Sequence, residues 1–398
     1  MKYFNKIAVT LLTFIILTLG TTGCWNRREL PSLAIVLGVG IDKSENTDKK
    51  QIEVTAQIIK TSELKTSAPE DSSTGESGST GAYSNVRNRG ETMFATIRDF
   101  THKVSRKLYF PHNQVIIFGR SLAEQGIRSY LDFFFRDQET RFEVLILVAD
   151  DKARDVFDVR PRLEKVPAME IAELMDAQAA NSMTSVVRLN QLGNRLMSET
   201  TAPIAPIIEI LGKGEEKEIS VKGTAVFKQD KLIGQMNKEE TRGLLWAIDE
   251  IKSGIIDVYC PEMKNFVSLE IIRAQSKISA EIIDDKPCFK IEVKEEGNIA
   301  SQCGMKNLTA PNPVSELERL KSEVIEAEIK SALSKAQKLN ADIFGFGDVL
   351  HRNYPKEWQE LKKSWDEIFP DLEVEVVAEA KLRRSGSIGR PVAPAKEQ

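Results

Sequence analysis

One cysteine, Cys24, stands where covalent chemistry is easiest to argue. Before it come Met1–Lys6, with two lysines, and then the apolar run IAVTLLTFIILTL at 7–19. Charge, apolar run and small residues (Gly20, Thr21, Thr22, Gly23) in that order form an export signal, and the run is shorter than the roughly 20 residues that span a bilayer. Two readings of Cys24 compete. In one, cleavage falls within the small residues and leaves an ordinary thiol near a new N-terminus. In the other, Cys24 is a lipid acceptor: its sulfur takes a diacylglyceryl group, and cleavage before it frees the α-amino group for a further acyl chain. The second is preferred because the apolar run ends just before the cysteine and Gly23 and Thr22 are small, although Thr21 replaces the aliphatic residue most common there. Acyl chains, at about 0.8 kcal/mol per buried methylene, would hold the protein at a membrane without a spanning helix.

The other reactive residue types are sparse. The three histidines, His102, His112 and His351, have no neighbours at metal-ligand spacing. Cys260, Cys288 and Cys303 include no close pair, so one disulfide would leave an odd thiol. No Gly-x-Ser-x-Gly elbow or phosphate-binding Gly-x-x-x-x-Gly-Lys-Ser/Thr loop occurs. The pair Gly38 and Gly40 lacks the third glycine and following helix of a dinucleotide site, and reads as a glycine-bearing strand. FGFGD, at 344–348, suits a tight corner between helices, its glycines free to take φ > 0 while its phenylalanines bury, and Asp342 and Asp348 beside it read as structural rather than catalytic. The carboxylates of EEGN (295–298), DEIF (366–369) and DDKP (284–287) read as solvated charge. The expectation is no catalytic residue, no metal site and no cofactor.

Composition agrees with a globular body: 41% hydrophobic and 29% charged, with length for two or three domains. A net charge of −4 and the lack of a basic run with interleaved aromatics argue against nucleic acid. Residues 33–41 and the alternating 51–58 predict a β-hairpin, the first strand buried on both faces and the second on one. Residues 61–90, rich in Ser, Thr and Gly, read as a long loop. A helix is predicted over 91–108, strands at 114–118 and 141–149, and a capping box at Ser121–Glu124 before a helix burying Ile127, Leu131 and Phe134. Residues 163–198 read as largely helical. Val221–Phe227 is a strand and Glu239–Trp246 helical. Three strands follow near 266–273, 277–283 and 288–294. A second capping box, Ser315–Glu318, opens a long helix with Ile325, Ile329, Ala332, Leu333, Ala336 and Leu339 inward. Another helix from Pro355 buries Trp358, Leu361, Trp365 and Phe369, and a strand closes at 372–382.

These elements predict a multi-domain α+β (mixed α/β) fold, sheets flanked by helices, with a C-terminal antiparallel meander and two long helices. The expected division is a signal peptide at 1–23, an N-terminal mixed domain at 24–200, a connector or small middle domain at 201–256, a C-terminal α+β domain at 257–384 and a disordered tail at 385–398. Aromatics left exposed near the FGFGD corner, Phe346 or Tyr354, are candidate interface anchors.

Several segments resemble one family, the C-subunit lipoproteins of bacterial spore germinant receptors, the Ger(x)C type. GCWNRRELPSLAIVLGVGIDK (23–43) looks like its mature N-terminus, with Asn26 where the family often has Asp. RKLYFPHNQVIIFGRSLAEQGI (106–127) and LDFFFRDQETR (131–141) look like its N-terminal domain. VKGTAVFKQDKLIGQMNKEETRGLLW (221–246), ADIFGFGDVLHRNYPKEWQELKKSWDEIFP (341–370) and VEVVAEAKLRRSG (374–386) are similar to its C-terminal domain. EEGNIASQCG (295–304) departs from it in lacking an expected acidic residue near Ala300 or Ser301 and in carrying Cys303. The resemblance implies a three-domain mixed fold without enzymatic activity, anchored through Cys24 to the outer face of the spore's inner membrane. It also implies two integral membrane partners, one with a soluble domain and one transporter-like, in a complex that senses nutrients and triggers germination. The rival reading is a substrate-binding lipoprotein of a nutrient importer, which calls for two α/β lobes around a cleft. A lipid-anchored hydrolase would need a nucleophile–base pair that the sequence lacks.

Overall fold

Alternating apolar residues fold the first hairpin as expected. In the computed structural model, which describes residues 2–20, 33–45, 51–60, 81–260, 265–302, 308 and 311–384, β1 (Leu33–Lys43) pairs antiparallel with β2 (Ile52–Ile59), Ile41 facing Val54. Burial of only one face of β2 is not what is found. Glu53, Thr55 and Gln57 are buried as well, because α5 (Ala153–Phe157) and α6 (Pro167–Ala177) cover that side and take their polar atoms: Arg154 donates to Glu53, and the Ala168 N–H donates to Gln57 at 2.8 Å. Gly38 sits on β1 where a Cβ would collide with the Phe157 ring at 2.5 Å, and at Gly40 a Cβ would press the same ring at 3.2 Å, so both read as packing glycines.

The end of the supposed loop is a strand, β3 (Tyr83–Gly90), paired with β2. Its polar composition hid it; Asn85 joins Gln57 and the Phe157 carbonyl, work that aliphatic side chains do elsewhere. The helix predicted over 91–108 is shorter. α2 (Met93–Asp99), capped by Thr92, gives way to a 3₁₀ turn, and β4 (Lys107–Tyr109) lies parallel to the first residues of β1, Lys107 beside Leu33. Ser121 is not the N-cap: Gly119 stands there, α3 runs Arg120–Ala123, and Ser121 is already helical. α4 (Arg128–Arg136) buries Leu131 and Phe134 as expected. Residues 163–198 hold α6 and α7 (Leu189–Met197), with irregular chain between them.

β5 (Val115–Phe118), β6 (Leu145–Ala149), β7 (Ile204–Leu211), β8 (Glu218–Lys228) and β9 (Lys231–Met236) complete a sheet ordered β3-β2-β1-β5-β6-β7-β8-β9, parallel from β1 to β7 and antiparallel outside it. The stretch expected as a connector therefore supplies three strands to the first sheet. Its end, α8 (Lys238–Ala247), starts from a capping box in which Asn237 and Glu240 exchange bonds of 2.8 Å.

The second sheet runs β10 (Gly254–Cys260), β11 (Asn265–Ile283), β12 (Lys286–Gln302) and β13 (Val374–Arg384). Two long strands stand where three short ones were expected, because a bulge between Ile271 and Arg273 lets β11 bend without ending. Asp284 and Asp285 turn the hairpin with φ of 51° and 61°, the signature of a primed turn. The last strand is parallel to β12, and the other pairs are antiparallel.

α9 (Pro311–Leu339) starts before Ser315, which lies inside it; Ile325, Ile329, Ala332, Leu333 and Ala336 are buried. It runs along β13, whose Ala378, Ala380 and Leu382 N–H groups donate to Glu326, Ser322 and Glu318 at 3.2, 3.0 and 2.9 Å. α10 (Phe346–Asn353), α11 (Pro355–Leu361) and α12 (Trp365–Ile368) follow, with Trp358, Trp365 and Phe369 in the core. One apolar core extends from the inner face of the first sheet, past α8, to the second sheet, and a smaller one lies under α5 and α6. Residues 3–14 of α1 (Lys2–Gly20) are exposed and belong to neither core. Among the described residues no helix is long and apolar enough to cross a membrane.

Candidate functional site

Burial of charge is costly unless each group is partnered, so the buried ionisable residues show what the sequence spends its polar chemistry on. Three such knots tie the second sheet and its helices together and to the first sheet.

The first is the FGFGD corner. Asp342 is 3% exposed, and its carboxylate accepts the N–H groups of Gly345, Phe346 and Gly347 at 2.8, 3.0 and 2.9 Å. Gly345 takes φ = 78°, a left-handed turn that reverses the chain between α9 and α10. Burial pushes the Asp342 carboxyl up to about 6 against the pull of those three donors. Asp348, one helical turn on, accepts from the hydroxyls of Ser198, Thr200 and Thr201, and the Ala202 N–H donates to the Asp342 carbonyl at 2.8 Å. The corner thus receives the chain that leaves α7. Phe346, offered from sequence as an interface anchor, is wholly buried: its ring lies 4.7 Å from that of Phe289 and 5.2 Å from Phe344, so it presents no surface to a partner. Tyr354 is half-buried at the start of α11.

The second knot joins α8 to α9. Glu328 accepts from Arg242 Nε at 2.9 Å, from Arg242 Nη2, and from Trp246 Nε1 at 3.0 Å, while Arg242 Nη1 reaches the Ile255 carbonyl at 2.9 Å. Gly243 lets the helices touch: a Cβ there would overlap the Glu328 carbonyl.

The third pairs Lys321 of α9 with Glu295 of β12 at 2.6 Å, both side chains 0% exposed. Glu295 belongs to EEGN, expected as solvated charge; that expectation fails, because α9 covers this end of β12. Burial raises its carboxyl to about 6 and lowers the Lys321 ammonium. The sequence did carry a signal for both α9 charges: Lys321 and Glu328 interrupt the apolar stripe Leu317, Ile325, Ile329 and Ala332.

The histidines do not converge. His102 and His112 are exposed on the first-sheet module, and His351 stacks on Trp358 at 6.0 Å. Among the described residues no group of three His, Cys, Asp or Glu is arranged to hold a metal ion. Cys288 is a free, half-buried thiol, and Cys24 and Cys303 lie outside the described residues.

Sheets, corner and knots define a class before any comparison: a two-sheet α+β body whose polar core fastens its parts to one another. Comparison with known proteins agrees. Residues 26–210 match the family model "Spore germination protein N-terminal domain", and residues 222–386 match "Spore germination B3/ GerAC like, C-terminal". Spore germination protein KC of Bacillus subtilis (strain 168) is 28% identical over 97% of each chain, and spore germination protein B3 of the same organism is 25% identical over 98% of this chain and 100% of its own. The crystal structure of the GerBC protein superposes with a TM-score of 0.54 at 20% identity, covering 87% of this chain and 96% of that one. The chain belongs to the Ger(x)C family of spore germination proteins.

Proposed function

We propose that this protein is the lipid-anchored subunit of a germinant receptor, held at the outer face of a spore's inner membrane through Cys24 and acting by protein contact with two integral membrane subunits. The observation that carries this reading is the match of both parts of the chain to spore germination proteins along nearly their whole length. The geometry supports a role in assembly: Asp342, Asp348, Arg242 and Glu328 are all committed to fastening one element to another, which suits a rigid docking body. A substrate-binding lipoprotein would call for a second α/β lobe, whereas the second sheet is mostly antiparallel with α9 along its edge.

The test is Cys24→Ala, expressed in cells without partner subunits. The expected outcome is unprocessed protein or protein released from membranes, read by fractionation and by mass spectrometry of the N-terminus. Correctly processed, membrane-bound Cys24→Ala protein would overturn the anchor. Titration of residues 25–398 with the soluble domain of a membrane subunit checks the partner, and saturable nutrient binding with none to that domain would favour the importer-type reading.

A further inference from the structure

The end of the first sheet at which β1 begins carries an unusual surface. β4 lies beside the start of β1, so Arg106 and Lys107 flank Leu33. From Arg98 to Lys107 the sequence RDFTHKVSRK places four cations, Arg98, Lys103, Arg106 and Lys107, against one carboxylate, Asp99, and all five are exposed. Phe94 projects beside them, 58% exposed, with the Arg98 guanidinium 5.0 Å from its ring centre and the Phe133 ring 6.2 Å away. Glu139 pairs with Lys107, the Lys103 ammonium donates to the Arg87 carbonyl at 2.7 Å, and Arg98 and Arg106 line, with Asp137 and Glu139, a groove whose apolar lining includes Ile97 and Phe133. An exposed aromatic ring framed by guanidinium and ammonium groups is the composition of an interfacial membrane contact.

Chain length says what this surface meets. Only eight residues separate Cys24 from Leu33, and nine extended Cα steps reach no more than about 32 Å. On the reading that Cys24 is lipidated, which this inference rests on, the β1 entrance cannot leave the membrane's neighbourhood. We propose that the patch formed by Phe94, Arg98, Lys103, Arg106 and Lys107 docks on anionic lipid headgroups and sets the orientation of the body on the bilayer. Each basic side chain near an anionic surface multiplies partitioning roughly five-fold, and the anchor keeps the patch at high local concentration.

Residues 25–398, which include both apolar cores described above, can be sedimented with vesicles of phosphatidylcholine alone or with one third phosphatidylglycerol, so lipidation of Cys24 does not enter the assay and the two readings fail separately. The expected result is binding at least about ten-fold stronger to the anionic vesicles, abolished near 1 M salt where the Debye length falls to about 3 Å, with Lys103 and Lys107 protected from amine acylation. The variant R98Q/R106Q/K107Q should lose that preference, whereas K356Q/K363Q, equally exposed on and after α11, should keep it. Equal binding to both vesicles, or an unchanged preference in R98Q/R106Q/K107Q with an intact circular dichroism spectrum, would overturn the proposal and leave the patch to an acidic protein partner.

Discussion

Glu328→Met is the sharpest probe of how the two sheets are coupled. Glu328 is 8% exposed and Arg242 6%, and removing the carboxylate leaves a guanidinium buried without its counter-charge and Trp246 Nε1 without an acceptor. Breaking a buried pair from one side costs about 3–5 kcal/mol. With an unfolding entropy near 2.1 cal/mol/K per residue over about 350 residues, that loss lowers the melting temperature by about 4–7 °C. The double variant R242M/E328M removes the stranded charge as well and keeps apolar volume between α8 and α9, so it should melt above the single variant even though the Ile255 carbonyl loses its donor. Differential scanning calorimetry of residues 25–398 reads both values. A single variant within about 1 °C of the parent, or a double variant no more stable than the single, would refute the claim that desolvation of this pair governs the junction.

Gly243→Ala should destabilise the body by about 1–3 kcal/mol or more, against the usual gain from alanine in a helix, because its Cβ meets the Glu328 carbonyl and Ala332; chemical denaturation checks the sign. Asp342 has a native pKa of about 6 against the usual 3.8, so the native state holds a proton that the unfolded chain has released between those values. Its contribution to stability is therefore full below about pH 4 and lost as pH rises through 6, by about 3 kcal/mol relative to the non-titrating Asp342→Asn. A difference between the two proteins that stays flat from pH 4 to 7 would exclude this. His102, His112 and His351 replaced together by glutamine should leave spore germination intact and move stability by about 0.5 kcal/mol per exposed site; loss of germination by the folded triple variant would show chemistry in them.

Periodicity exposed what depends on a regular burial pattern. The β1–β2 hairpin, the inward face of α9 and the aromatic face shared by Trp358, Trp365 and Phe369 all follow from spacing. β3 could not be read that way, since its side chains are held by hydrogen bonds to Gln57 and Phe157 rather than by apolar packing. The continuous β11 escaped because a bulge preserves pairing while shifting the alternation by one residue. The FGFGD corner was legible as a turn from its glycines and as a buried one from its phenylalanines, but the packing of Phe346 on Phe289, 57 positions earlier in the sequence, was not. Glu295 was misread for a similar reason, as only the path of α9 puts Lys321 over it.

The side of β13 that faces α9 is sealed by a coincidence of two periods. Glu318, Ser322 and Glu326 are spaced four residues apart on α9, about 6.0 Å per step, while Leu382, Ala380 and Ala378 are spaced two apart on the strand, about 6.6 Å per step. The two rulers stay in phase for three marks and drift by only about 0.6 Å at each, so three backbone donors find acceptors before the match fails. A one-residue insertion anywhere between Glu318 and Glu326 would rotate the later marks by about 100° and bare those amides to any extended chain that arrives. Helix and strand here act as a vernier, and its setting decides that this flank of the sheet stays closed to further strands.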